Sequence, residues 1–176
     1  MKKEKRIKLF GSVKVLCSAA ILCALTTIIS FICKNFTVGV LRITFENLPI
    51  IFAGYVFGPV VGLAVGVCSD LISGLVVYGG GWIPAITLGA GCVGLVAGLM
   101  GRFVRAKEYI RLGFSVFTAH IIGNMTVKSL ALMSAYGTPI ANLLLRIPLY
   151  TVIAVIEYLL LLVIVRNKTL KRMISR

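Results

Sequence analysis

Carboxylates are scarce in this chain: five Asp and Glu stand against nineteen Lys and Arg in 176 residues, with one His and one Trp. An acid–base or metal-dependent active site needs clustered groups, yet Asp70, His120 and Glu157 fall singly in three separate apolar stretches with no catalytic spacing. A membrane-embedded enzyme is therefore disfavoured, and no metal site is expected. Paired cysteines are missing as well. Cys17, Cys23, Cys33, Cys68 and Cys92 are odd in number, contain no CxxC and lie within or at the ends of apolar stretches. That speaks against a zinc site or a disulfide framework and for small apolar packers. No GxxxxGK[ST] phosphate loop occurs, so the chain has no ATPase of its own. Nor is there a clear inverted repeat with two interrupted spans, the pattern of many gradient-driven transporters. If the protein moves a substrate, its motor is borrowed.

Apolar surface is what the chain has in abundance. Apolar residues make up 59% of it and mean hydropathy is +1.03, so almost every segment is apolar all round and the bilayer has to act as solvent for its outer faces. The expectation is an all-α, polytopic membrane protein, with six transmembrane helices in one bundle. Cuts at charges, Pro and Gly place them at 13–33, 46–57, 59–77, 84–101, 112–134 and 143–165. The second is short, and "FGP" at 57–59 leaves almost no loop before the third. "YGGGWI" at 78–83 and "AYGTPIAN" at 135–142 read as turns. The basic start "MKKEKRIK" leads into a stretch as long as a full span, so the first helix is expected to stay rather than be cleaved as a signal peptide.

Positive charge sets the orientation. Lys2, Lys3, Lys5, Arg6, Lys8 and Lys14 precede or open the first span. Arg102, Arg105, Lys107 and Arg111 lie between the fourth and fifth, and Arg166, Lys168, Lys171, Arg172 and Arg176 follow the sixth. In a six-span arrangement all of these fall on one side, so both termini are expected to be cytoplasmic. The chain then divides into a basic cytoplasmic N-terminal segment (1–12), a six-helix membrane domain (13–165) and a basic cytoplasmic tail (166–176). The net charge of +14 reads as topology and contact with anionic lipid, and no aromatic-basic pattern suggests nucleic acid.

Four cations remain, Lys34, Arg42, Lys128 and Arg146, and they sit toward the opposite, outer half. A charge within a span costs about 2.5–3.5 kcal/mol on insertion scales, so it faces protein, water or a ligand. His120, Asn124 and Lys128 are spaced by four and share one helical stripe; Arg146, Tyr150 and Glu157 form a second in the last span. Two polar stripes suit one cavity. Lys128 and Arg146 either snorkel to outer headgroups, or pair structurally (Lys128 with Glu157 or Asp70), or bind an anionic ligand. Asp70, in "GVCSDLISG" behind glycines spaced by four, reads as a structural hydrogen-bond acceptor, and His120 as a satisfied interior histidine. Trp82, Tyr78, Phe45 and Tyr136 lie at outer loops or helix ends. They form either an interfacial belt or a stacking surface for a flat ligand ring. Ala20 and Ala24 are a small-xxx-small pair in the first helix, by itself a common packing feature.

With these residues in view, the chain resembles the substrate-capturing S components of energy-coupling factor (ECF) vitamin transporters, and among them the folate-specific branch. The likeness covers 13–165. It rests on Ala20 and Ala24, on "RITFENLPIIFAGYVFGPVVGLAVGVCSDLI" from Arg42, "GGGWIPAITLGAGCVGLVAGL" from Gly79, "NMTVK" from Asn124 and "LLLRIPLY" from Leu143. The resemblance implies a protein of the cell membrane that captures a vitamin outside. It then docks through the Ala20/Ala24 face on a transmembrane coupling subunit carrying two ATPases; the chain itself needs no cofactor. It also implies a pocket built from 34–45, with Arg42 and Phe45, from 78–84, with Tyr78 and Trp82, and from Asn124, Lys128, Arg146 and Tyr150. Folate, with its flat pterin and two carboxylates, suits such cations and aromatics. A cationic vitamin such as thiamine would want acids, of which this half offers mainly Glu46, whereas riboflavin is not separated by charge. A structural membrane protein without a ligand is the remaining alternative and predicts tolerance of Lys128→Ala.

Overall fold

The computed structural model describes residues 13–38, 41–42, 44–79, 83–137 and 139–167. The expected N-terminal segment, most of the tail and Trp82 lie outside the described residues. The chain forms α1 (Val13–Cys33), a 3-10 turn (Lys34–Phe36), β1 (Thr37–Val38) and β2 (Leu41–Arg42), then α2 (Asn47–Phe57), α3 (Pro59–Val76) and α4 (Pro84–Phe103). There follow α5 (Glu108–Ala119), a π-helical segment (His120–Val127), α6 (Lys128–Tyr136) and α7 (Ile140–Arg166). α5, the π segment and α6 run on as one rod. Among the described residues five helices are long and apolar enough to cross a membrane, with α2 as a shorter apolar helix. Their outward faces are apolar, as lipid contact requires: Ile21, Phe31, Leu75, Leu88 and Val163 are each more than half exposed.

Three boundaries differ from the expectation from sequence, for physical reasons. The fifth rod starts at Glu108 rather than 112, because an acid in a first turn favours a helix start and a charge does not end one. α7 starts at Ile140, directly after Pro139, and keeps Pro148 in its interior. The chain is also not wholly helical: β1 and β2 pair antiparallel, Thr37 opposite Arg42 and Val38 opposite Leu41, in what the sequence presents only as a loop. Two residues per strand give too short an alternation to be read in advance.

α4 is the central element, packing against α2, α3, α5, the π segment and α6. Glycine makes this possible. A Cβ on Gly94 would overlap the carbonyl O and C of Gly62, one on Gly62 would overlap the carbonyl of Gly94, and one on Gly54 would meet that same carbonyl. The spacing by four therefore serves backbone-to-backbone contact of α2 and α3 with α4. Gly58, at φ +105°, reverses the chain between α2 and α3 with no loop, a conformation that favours glycine. Around this seam Ile50, Ile51, Val61, Val65, Val93, Ala97, Leu112, Val116 and Leu161 form the apolar core. The cysteines only partly match the packing role expected of them: Cys33 is buried, but Cys17 and Cys68 face outward from the bundle.

Candidate functional site

The fifth rod changes its winding where its polar residues begin. From His120 to Val127 the backbone is π-helical, with turns wider than those of an α-helix, a feature often found at functional sites. His120, Asn124 and Lys128 follow one another along this segment at a spacing of four. Hydroxyls one wide turn on also reach the carbonyls of this segment: Thr126 Oγ1 donates to Ile121 O (2.9 Å) and Ser129 Oγ to Asn124 O (3.2 Å). Gly123 and Gly89 bring this segment against α4. A Cβ on Gly123 would strike the Val93 side chain, and one on Gly89 would lie 2.5 Å from Lys128 Cγ, so the lysine stem runs along a groove that only glycine leaves open.

Three polar networks meet there. In the first, Lys128 Nζ lies 3.5 Å from Glu46 Oε1, and Ser30 Oγ of α1 donates to Glu46 Oε2 at 2.6 Å. In the second, His120 Nε2 lies 2.8 Å from Glu157 Oε2, and Asn124 Nδ2 is 3.0 Å from His120 Nδ1. In the third, Arg146 donates through Nη1 to Ser129 Oγ (3.2 Å) and through Nη2 to the Tyr150 hydroxyl (3.0 Å), its guanidinium 5.0 Å from the Tyr150 ring centroid. The His120 and Tyr150 rings, 6.3 Å apart, join the last two networks. Glu157 lies within electrostatic reach of Glu46 and Lys128 as well. The side chains are nearly closed to solvent: Lys128 is 6% exposed, Arg146 4% and Glu157 0%. A small cleft, with room for about one water, opens beside Lys128 and Glu46, lined also by Thr26, Ser30, Ser69, Asp70 and Ser73; Arg146, Asn124 and Tyr150 do not line it.

The two stripes read from sequence thus face each other, and Lys128, Arg146, Asn124 and Tyr150 come together. Arg146 does not snorkel; it points inward and finds no carboxylate within ion-pair distance among the described residues. Lys128 pairs with Glu46 rather than with Glu157 or Asp70. Asp70 instead accepts from Thr87 Oγ1 at 2.6 Å. Tyr78 and Lys34 sit together at the C-terminal ends of α3 and α1: Lys34 Nζ is 5.9 Å from the Tyr78 ring centroid and donates to Val77 O at 2.7 Å. Phe45 is half-buried just before α2. Arg42 is placed only through its backbone in β2, and the side chains of Arg42 and Tyr136 are outside the described residues, as is Trp82. Ser30, Gly89 and Ser129 were not singled out by sequence, since each signals only small size until its neighbours are known. Asn47 is a further omission: it is fully buried and neither of its amide atoms has a partner among the described residues.

A family model for the S component of ECF-type riboflavin transporters matches residues 10–171, nearly the whole chain. The chain belongs to this S-component family. Among solved structures, the crystal structure of FolT bound with folic acid matches this S component with a TM-score of 0.69 at 20% identity, over 84% of this chain and 90% of that one. At that identity the likeness establishes the fold. No match is found among curated proteins. Membership makes the chain an integral membrane protein that serves as a transport component, and it gives the buried polar cluster a setting in which small-molecule capture is the work to be done.

Proposed function

We propose that this S component captures folate at the outer side of the cell membrane and delivers it to a coupling subunit with two ATPases for uptake. The observation that carries the reading is Arg146. It is 4% exposed and, among the described residues, held only by the neutral hydroxyls of Ser129 and Tyr150, with no partner at its Nε. A buried cation without a counter-charge costs several kcal/mol, and an anionic ligand offsets that cost. Lys128 supplies a second cation whose bond to Glu46 is long, at 3.5 Å, so a ligand carboxylate can compete for it. The cleft beside Lys128 has room for about one water molecule, some 10 Å³, far short of the roughly 300–1,000 Å³ of most ligand sites. Folate is therefore expected to part Lys128 from Glu46 on entry, its carboxylates meeting Lys128 and Arg146 and its pterin meeting Tyr150 and Asn124. Arg42, Phe45, Tyr78 and Trp82 are the remaining candidate ligand contacts. The structural relative that holds folic acid supports the same ligand.

In this reading six helices cross or enter the membrane with both termini cytoplasmic, placing the cluster toward the outside. Ala20 and Ala24 are exposed on α1, which buries only Val15, Ala19, Thr26, Ser30 and Cys33. That favours their use on the coupling subunit over internal packing. A second reading, riboflavin capture, is favoured by the description of the matching family. Calorimetric titration of the purified protein in detergent with folate, riboflavin and thiamine decides between them. Folate is expected to bind saturably, and Lys128→Ala and Arg146→Met each to weaken it about 10- to 150-fold, the worth of a charged hydrogen bond. Tight riboflavin binding that both substitutions leave unchanged would overturn the folate assignment.

A further inference from the structure

A second cavity lies away from the polar cluster. It is a groove of about 510 Å³ between α5 and α7, within the roughly 300–1,000 Å³ of most ligand sites. Arg166 at its edge is twenty residues, about 30 Å, along α7 from Arg146, so the groove is no part of the site proposed for the vitamin. From α7 it is lined by Tyr158, Leu162, Val165 and Arg166, whose spacing of three to four puts them on one helix face. From α5 come Glu108, Tyr109 and Leu112. Leu112 and Val165 belong to the buried core, so the groove cuts between the two helices rather than lying flat upon them.

Its chemistry is graded along the helices. Leu112, Leu162, Val165 and the ring of Tyr158 make an apolar wall, and the Tyr158 hydroxyl donates to the Tyr109 carbonyl at 3.3 Å. Where this wall ends the two spans end as well, one beginning at Glu108 and the other closing at Arg166. That is the level at which a bilayer changes from acyl chains to headgroups, and tyrosines are enriched there. An apolar groove stays dry, and an empty one forfeits the dispersion contacts of its lining. An acyl chain restores them. The polar end then sets the headgroup, because it carries one charge of each sign. Arg166 offers a guanidinium fork that suits phosphate. Glu108 offers carboxylate oxygens that accept from an ammonium and can serve more than one donor at once.

We propose that the groove between α5 and α7 binds a phospholipid with a primary ammonium headgroup, its acyl chain against Leu112, Leu162 and Val165, its phosphate on Arg166 and its ammonium on Glu108. A glycerol headgroup brings the phosphate but sets no cation against Glu108. A choline headgroup brings a cation that has no N–H to donate. The site therefore ranks phosphatidylethanolamine above phosphatidylcholine and phosphatidylglycerol. The inference is independent of which vitamin the protein captures.

Native mass spectrometry of the purified protein, released from detergent with equal amounts of the palmitoyl-oleoyl forms of these three lipids, reads the ranking. Phosphatidylethanolamine is expected to be retained about two- to fivefold more than either of the others, the worth of one exposed ion pair. Glu108→Gln is expected to erase its advantage over phosphatidylcholine, and Arg166→Gln to weaken retention of all three. Leu162→Trp, which fills the groove, is expected to remove the retained lipid. The two substitutions at helix ends keep the test decisive should the tryptophan not be accommodated. Equal retention of the three lipids by wild type, a preference for phosphatidylglycerol, or a phosphatidylethanolamine preference that survives Glu108→Gln overturns the proposal. So does a Leu162→Trp protein that retains lipid as before but no longer co-purifies with the coupling subunit, since the occupant is then a helix of that subunit.

Discussion

The seam of α2 and α3 against α4 makes a prediction in which one chemical change has opposite signs at two places. Gly94→Ala puts a methyl group against the O, C and Cα of Gly62. All three are backbone atoms, so no rotamer change relieves the overlap and the helices have to separate. Overpacking of this kind costs about 3 kcal/mol, the upper part of the usual range. Replacing Gly by Ala inside a helix returns about 1 kcal/mol of propensity, leaving a net loss of about 2 kcal/mol. Gly113→Ala, inside α5, meets only the Tyr158 ring at 3.5 Å, an ordinary contact, so the propensity gain of about 1 kcal/mol stands nearly alone. At about 2–4 °C per kcal/mol for a chain of this size, Gly94→Ala is expected to lower Tm by about 4–8 °C and Gly113→Ala to raise it by about 2–4 °C. Thermal unfolding in one detergent, followed by loss of the monomer peak on size exclusion, reads both. Tm shifts of the same sign, or a Gly94→Ala protein as stable as wild type, would refute the claim that backbone contact at Gly94 sets the packing.

Two further outcomes test the proposed orientation and docking face. Ala20→Leu combined with Ala24→Leu changes only an exposed strip of α1, so folate binding by the isolated protein is expected to stay within twofold while co-purification with the coupling subunit is lost; weakened folate binding would place the strip in the pocket architecture instead. In a cysteine-free background, Gly137→Cys, between α6 and α7, is expected to react with a membrane-impermeant maleimide added to whole cells. Asn167→Cys, just past α7, is expected to react only after permeabilisation, and the reverse pattern would invert the topology.

Most of the fold was legible because its signals are local. Long apolar stretches end at glycines, prolines and charges, so α1 matches its expected span and α2 and α3 fall within a residue of theirs. One slip came from the cuts themselves. Cutting at charges treats Glu108 and Arg111 as loop residues, whereas a helix tolerates both; α5 therefore starts earlier than composition suggests. The π segment left no such mark. His120 to Val127 reads as ordinary apolar helix, and the wider winding depends on what Gly123 and Gly89 allow between α4 and the fifth rod, a tertiary circumstance.

The site divides along the same line. Spacing by four put His120, Asn124 and Lys128 on one stripe and Arg146 with Tyr150 on another, because residues on one helix carry their relative positions in the sequence. Which charge answers which is not encoded that way. Glu46 lies 82 positions from Lys128 and was visible only as the main acid of the outer half; Ser30, which holds the other oxygen of Glu46, was not visible at all. The same holds for Glu157. It was placed beneath Arg146 on its own helix, yet its bond is to His120 across the bundle, and this leaves Arg146 without a carboxylate among the described residues. A lysine and an arginine in apolar helices suggest an anionic ligand only weakly, since either is satisfied by any nearby acid. For Arg146 the inference gains its force once the acids are seen to be engaged elsewhere, Glu46 by Ser30 and Lys128, Glu157 by His120, and Asp70 by Thr87.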